Sequence, residues 1–193
     1  AYDQFAEIMS AGAAAGADLI LIETMGDLLE AKTALLAAKE RTELPVFVTM
    51  TFGEDGRTFL GTEPAAAAVT LGNLGADVVG INCSLGPKDL RPALLAMLEA
   101  THLPVMIQPN AGLPQLVEGE TRFDVGPAEF ARWAEVFLED GAAILGGCCG
   151  TTPDHIRAVA PLLQGRTLRQ RRPDDICRLC GWQGVLPLKL ETI

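Results

Sequence analysis

The sequence has no apolar run that approaches the roughly 20 residues of a membrane-spanning helix, which argues against a helical span. It is short of positive charge: 15 Lys and Arg stand against 25 Asp and Glu, a net charge of −10. Phosphates attract basic surfaces, so neither nucleic acid nor an anionic membrane is expected as the main partner. Residues 1–10 carry no basic n-region and no signal-peptide core. The five cysteines do not resemble a secreted disulfide scaffold; two are adjacent, and two form a C-x-x-C near the end. That usage points to a cytoplasmic, reducing setting and a role in metal binding. No glycine-rich dinucleotide fingerprint follows any apolar run, since Gly72 and Gly75 are too sparse to make one.

What is present is a repeat. Gly16-Ala17-Asp18 leads into Leu19–Ile22, and Leu44-Pro45 into Val46–Val48. Gly75-Ala76-Asp77 leads into Val78–Ile81, Leu103-Pro104 into Val105–Ile107, and Gly141-Ala142-Ala143 into Ile144-Leu145. From Gly16 to Pro45 is 29 residues, then 30 to Gly75, 29 to Pro104 and 37 to Gly141. Short continuous apolar runs suit strands buried on both faces of a parallel sheet. Helix-forming stretches separate them: 27–40, with Asp27 as cap and Glu30 at capping-box spacing, then 64–74, 88–100, 127–139 and 153–163. Residues 1–15 read as a helix with no strand before it. The order is therefore one helix and then five βα units, an α/β chain with a parallel sheet. Without a dinucleotide fingerprint, a (β/α)8 TIM barrel is favoured over a doubly wound sheet. Only the last five strand–helix units are present, and three strands are expected to precede residue 1.

The functional residues of a barrel gather at the strand C-terminal ends. Here the runs end in Glu23-Thr24, Thr49-Met50-Thr51-Phe52-Gly53, Asn82-Cys83-Ser84, Gln108-Pro109-Asn110-Ala111-Gly112 and Gly146-Gly147-Cys148-Cys149-Gly150. No run ends in Lys or His, which disfavours a Schiff-base aldolase or a His/carboxylate metal hydrolase. Cys83 and Cys148 are 65 residues apart, so no local zinc-finger spacing applies. Three thiolates and one exchangeable position make a catalytic zinc arrangement. A lone buried cysteine is more often a small hydrophobe, and residue types and spacing leave packing and metal binding equally open. A disulfide between adjacent cysteines would be strained. Neighbours on a regular strand point oppositely, so Cys148 and Cys149 need the backbone freedom of the glycines around them.

Two phrases resemble the signature segments of the homocysteine S-methyltransferase family: Gly80-Ile81-Asn82-Cys83-Ser84-Leu85-Gly86-Pro87 and Gly146-Gly147-Cys148-Cys149-Gly150-Thr151-Thr152-Pro153. Glu23-Thr24, Met50-Thr51-Phe52, Gly61-Thr62-Glu63-Pro64 and Pro109-Asn110-Ala111-Gly112 support the likeness, most of all to the homocysteine-binding domain of cobalamin-dependent members. The resemblance runs over residues 1–165, and residues 166–193 look like a linker or tail toward a folate-binding domain. It implies a (β/α)8 barrel and a zinc ion held by Cys83, Cys148 and Cys149. It implies that Glu23 holds the homocysteine amino group, against the plainer role of a strand-end carboxylate facing helix N-termini. It implies that Asn110 lies near the metal; a turn-forming asparagine explains the same residue almost as well. The family's opening strand, with its Asp-Gly-Ala phrase, is not in this chain, so the isolated piece is expected to be inactive.

The activity so implied is transfer of a methyl group to the homocysteine thiol, giving methionine, with methylcobalamin on another domain as donor. Betaine and S-methylmethionine are the alternative donors. A reading of another class is a non-catalytic zinc-binding or redox-sensing module. Cys177 and Cys180 amount to half a zinc site. The four arginines at 166, 169, 171 and 172 read as a solvated linker. His155 is expected on a helix surface, and His102 is given no role.

Overall fold

The computed structural model describes residues 1–167, 176–181 and 184–188. Helix α1 (Tyr2–Ala14) is followed by β1 (Ile20–Met25), α2 (Leu28–Arg41), β2 (Val46–Met50), α3 (Pro64–Asn73), β3 (Val78–Asn82), α4 (Pro87–Ala100) and β4 (Val105–Gln108). A hairpin of β5 (Pro114–Val117) and β6 (Glu120–Phe123) intervenes before α5 (Pro127–Asp140), β7 (Ile144–Leu145), α6 (Pro153–Val159) and a 3-10 turn at Ala160–Leu163. A second hairpin, β8 (Cys177–Gly181) and β9 (Gly184–Leu188), packs against α3. None of the described helices is long and apolar enough to cross a membrane.

The helix boundaries have local causes. Pro64, Pro87, Pro127 and Pro153 each occupy a first-turn position, where the missing N–H costs no hydrogen bond. Asp27 caps α2 by accepting from the Leu29 N–H at 2.9 Å; Glu30 makes no reciprocal bond to it. Helix α5 stops at Gly141, whose φ of 113° lies in the left-handed region that favours glycine.

The five long-range strands form one sheet in the order β1-β2-β3-β4-β7, all parallel. The order never reverses, so there is no topological switch point of the doubly wound kind. Right-handed crossovers, the rule for parallel strands, between successive neighbours would put the connecting helices on one face, and strand and helix residues share one core cluster. Val46, Val48, Met50, Val79, Ile81, Val105 and Ile107 share that face and pack with Ala31, Ala34, Leu35, Ala38, Leu71 and Leu94 of the helices. Alternation puts Glu23, Thr49, Gly80, Asn82, Met106 and Gln108 on the other face. Gly80 leaves room there: a Cβ at this position would fall onto the Met106 carbonyl of the neighbouring strand.

Both hairpins lie outside the sequence reading, which took residues 166–193 as a linker or tail. Hairpin β5–β6 occupies the longest interval of the repeat and accounts for its extra length.

Candidate metal and substrate site

The ends of β3, β4 and β7 build the site. Strand β3 finishes at Asn82, and Cys83 and Ser84 then both take left-handed φ, 64° and 66°. This conformation is uncommon for non-glycine residues and costs roughly 1–3 kcal/mol each where the surroundings enforce it. Here the Cys83 N–H donates to the Gln108 carbonyl at 3.0 Å, and the Leu85 N–H donates back to the Cys83 carbonyl at 2.9 Å. Strand β7 is only two residues long, so Cys148 and Cys149 sit in a loop and escape strand alternation. Gly150, at φ 78°, supplies the turn. Gly146 and Gly147 are needed for space: a Cβ on the first would meet Gln108, and on the second Thr151.

The Pro109–Ala111 segment clamps this loop. The Cys148 N–H donates to the Pro109 carbonyl at 2.9 Å, and the Ala111 N–H donates to the Cys149 carbonyl at 2.9 Å. Asn110 is buried, and its Oδ1 accepts from the Cys149 N–H at 3.0 Å. Phe123, at the end of the first hairpin, lies against Gly150, where any Cβ would strike its ring.

These constraints bring the three thiols together. Their sulfurs all lie within 4.8 Å of one another, with Cys83 and Cys149 at 3.6 Å. A tetrahedral ion with metal–sulfur bonds of about 2.3 Å needs sulfurs roughly 3.8 Å apart, so the spacing fits zinc. Crowding without a cation disfavours thiolates. Burial first, and then Cys83, push the Cys148 thiol up to about 12. The hydrogen bond with Cys83 raises Cys149.

Glu23 lies exposed on β1, next to Thr24, whose φ is 61°. Thr24 is tied to the cysteine cluster through Asn82, which is fully buried and was not singled out from the sequence. Its only signal there was its place beside Cys83 in a strand end. Gln108 Oε1 is buried with no hydrogen-bond partner among the described residues.

His155 corrects the sequence reading. It is buried rather than on a helix surface, because α6 packs against α5, where the Phe130 ring meets the imidazole edge-on at 5.4 Å. Its Nδ1 accepts from the Thr152 N–H at 3.1 Å, so Nε2 carries the proton and donates to the Val125 carbonyl at 3.0 Å. Cys177 and Cys180 lie three apart on one strand and so face opposite sides, which prevents them from gripping one ion there. The Cys180 Sγ contacts the Ala66 carbonyl at 3.2 Å. Of the four tail arginines, those at 169, 171 and 172 lie outside the described residues.

The homocysteine S-methyltransferase family model matches residues 1–163. The methionine synthase of Mycobacterium leprae (strain TN) is 40% identical over 151 residues, which is 75% of this chain and 12% of that protein. The methionine synthase of Mycobacterium tuberculosis (strain ATCC 25618 / H37Rv) is also 40% identical over 151 residues, 13% of its length. The chain thus spans about one eighth of the methionine synthases it matches. Among solved structures, the apo form of the homocysteine methyltransferase MmuM from Escherichia coli superposes with a TM-score of 0.67 at 23% identity, covering 83% of this chain and 57% of that one. Its metallated form matches with the same TM-score at 22% identity, covering 84% and 52%. By its sequence match over residues 1–163, the chain belongs to the homocysteine S-methyltransferase family.

Proposed function

We propose that this chain is the zinc- and homocysteine-binding part of a methionine synthase, and that its five βα units are an arc of a (β/α)8 barrel ending near residue 165. Residues 166–193 would then lead toward a further domain. The observation that carries the proposal is the convergence of Cys83, Cys148 and Cys149 from two strand ends, at a spacing that suits tetrahedral zinc. The donor set supports it too: three soft sulfurs leave one position for exchange, as in catalytic rather than closed structural sites.

Zinc bound there would supply a cation that keeps thiols deprotonated, including that of a homocysteine at the fourth position. The protein's own residues do the rest. Cys83, Cys148 and Cys149 hold three corners. The Pro109–Ala111 clamp fixes the loop that carries two of them. Glu23 is a carboxylate on the same sheet face as Asn82, suited to the homocysteine ammonium, and Gln108 Oε1, on that face and without a partner among the described residues, is a second acceptor. Asn110 is committed to the Cys149 N–H, so its part is to position that ligand's backbone. In the reaction the homocysteine sulfur bonds to the methyl carbon as the donor–methyl bond breaks, and the thiol proton goes to solvent. Met50-Thr51-Phe52 and Pro109-Asn110-Ala111-Gly112, the phrases most like those of cobalamin-dependent members, support methylcobalamin on another domain as donor over betaine or S-methylmethionine.

Zinc X-ray absorption with and without homocysteine tests this. Three sulfurs and one light atom should become four sulfurs on addition. A four-sulfur site that ignores homocysteine would instead support a structural or redox-sensing module, and assays with each donor class would assign the methyl source.

A further inference from the structure

We infer that Asn82 is a positioning residue that sets the Cys148 ligand and the Thr24 turn beside Glu23 with one amide; this rests on the reading of the cysteines as a metal site. Asn82 is fully buried at the end of β3. Its Oδ1 accepts from the Thr24 N–H at 2.8 Å and from the Thr49 hydroxyl at 2.7 Å. A backbone N–H can only donate, so the amide orientation is fixed and the NH2 group must face the other way. There it donates to Thr24 Oγ1 at 2.7 Å and lies 3.8 Å from the Cys148 Sγ. Every polar atom of this side chain thus has a job, and the jobs reach from β1 across β2 to the β7 loop.

Two features mark this as more than a satisfied core amide. Thr24 is β-branched and holds φ 61°, a conformation such residues rarely adopt, and both its backbone N–H and its hydroxyl bond to Asn82. The amide therefore sustains a strained turn next to the carboxylate proposed to take the substrate amine. The sulfur contact is long for a neutral thiol, but an N–H donor to a thiolate strengthens because the acceptor is charged. The donor would then draw electron density from one of three sulfurs and make the ligands unequal. Groups that hydrogen-bond metal ligands commonly change affinity or activity by about 10- to 100-fold when removed.

Cobalt(II) loaded into the full chain reports on sulfur directly through its thiolate-to-metal charge-transfer bands. Asn82→Asp retains both acceptor bonds, since a carboxylate oxygen takes the Thr24 N–H and the Thr49 hydroxyl, but it removes the donor to sulfur. Its charge-transfer band should move to lower energy, because the Cys148 lone pair is no longer held down. Thr49→Val removes a bond to the same amide but leaves its NH2 group intact, and its band should stay at the wild-type position. Asn82→Ala frees Thr24, and the homocysteine concentration needed for half of the spectral change should rise about tenfold. An Asn82→Asp band at the wild-type energy, or an equal shift in Thr49→Val, would overturn the inference. Wild-type protein without thiolate-to-cobalt bands would instead sink the metal reading on which it rests.

Discussion

At the scale of single residues, the three cysteines set the protonation chemistry. Burial raises Cys148 to about 12, and the bond to Cys83 raises Cys149. Both thiols are therefore protonated at neutral pH, and a metal must displace those protons. The sign follows: affinity is weakest at low pH and rises by about tenfold per pH unit for each proton displaced, about a hundredfold for these two. Chelator competition for zinc at pH 6.5 and 7.5 measures it, and a flat profile would mean that these sulfurs are not the ligands. In the metal-free chain the same raised values favour the fold while the thiols are protonated and lose that contribution as pH climbs from the ordinary thiol range toward 12. His155 shows where residue-level reading fails. A histidine on a short helix looks exposed, and only the packing of α5 and the Val125 segment against α6 buries it.

At the scale of elements, close approach decides which glycines matter. Gly80 lets β4 pack beside β3, and Gly80→Ala would drive a methyl into the Met106 carbonyl. Overpacking of this kind typically costs about 1–3 kcal/mol, readable as a lower urea midpoint at unchanged slope. Gly150→Ala should act differently. It combines a left-handed φ with a clash against Phe123, so it should shift the Cys148-Cys149 loop and weaken metal binding more than it lowers the unfolding midpoint. An equal loss of both would show that Gly150 serves only the fold. The strands and helices were legible because each βα unit announces itself by an apolar run and a proline-led helix. Hairpin β5–β6 was not, because its residues are nearly all exposed and carry no buried period. The cysteines were legible as types. Their meeting followed from the repeat, which brings the strand ends to one mouth, and from the family likeness; the left-handed turn at Cys83 and Ser84 that completes it did not, since no local pattern signals it.

At the scale of the whole molecule, the sheet ends at β1 on one side and β7 on the other, with no further neighbour for either among the described residues. Leu19 and Leu21 of the β1 region stay 39% and 38% exposed. Open, apolar strand edges promote pairing between chains. The chain should self-associate with rising concentration, and Leu21→Lys should reduce that in sedimentation velocity runs. A monomer at all concentrations would show that the edge is already protected.

The strictly consecutive strand order has a consequence for how the site comes into being. Each unit touches chiefly the one made just before it, so the sheet can grow in the direction of synthesis. Cys83 is laid down at the third strand and its companions only at the fifth, with β4 standing between them. The three-sulfur cluster therefore cannot exist until the β7 loop has docked, and a chain stalled before Cys148 would present only one of its three thiols.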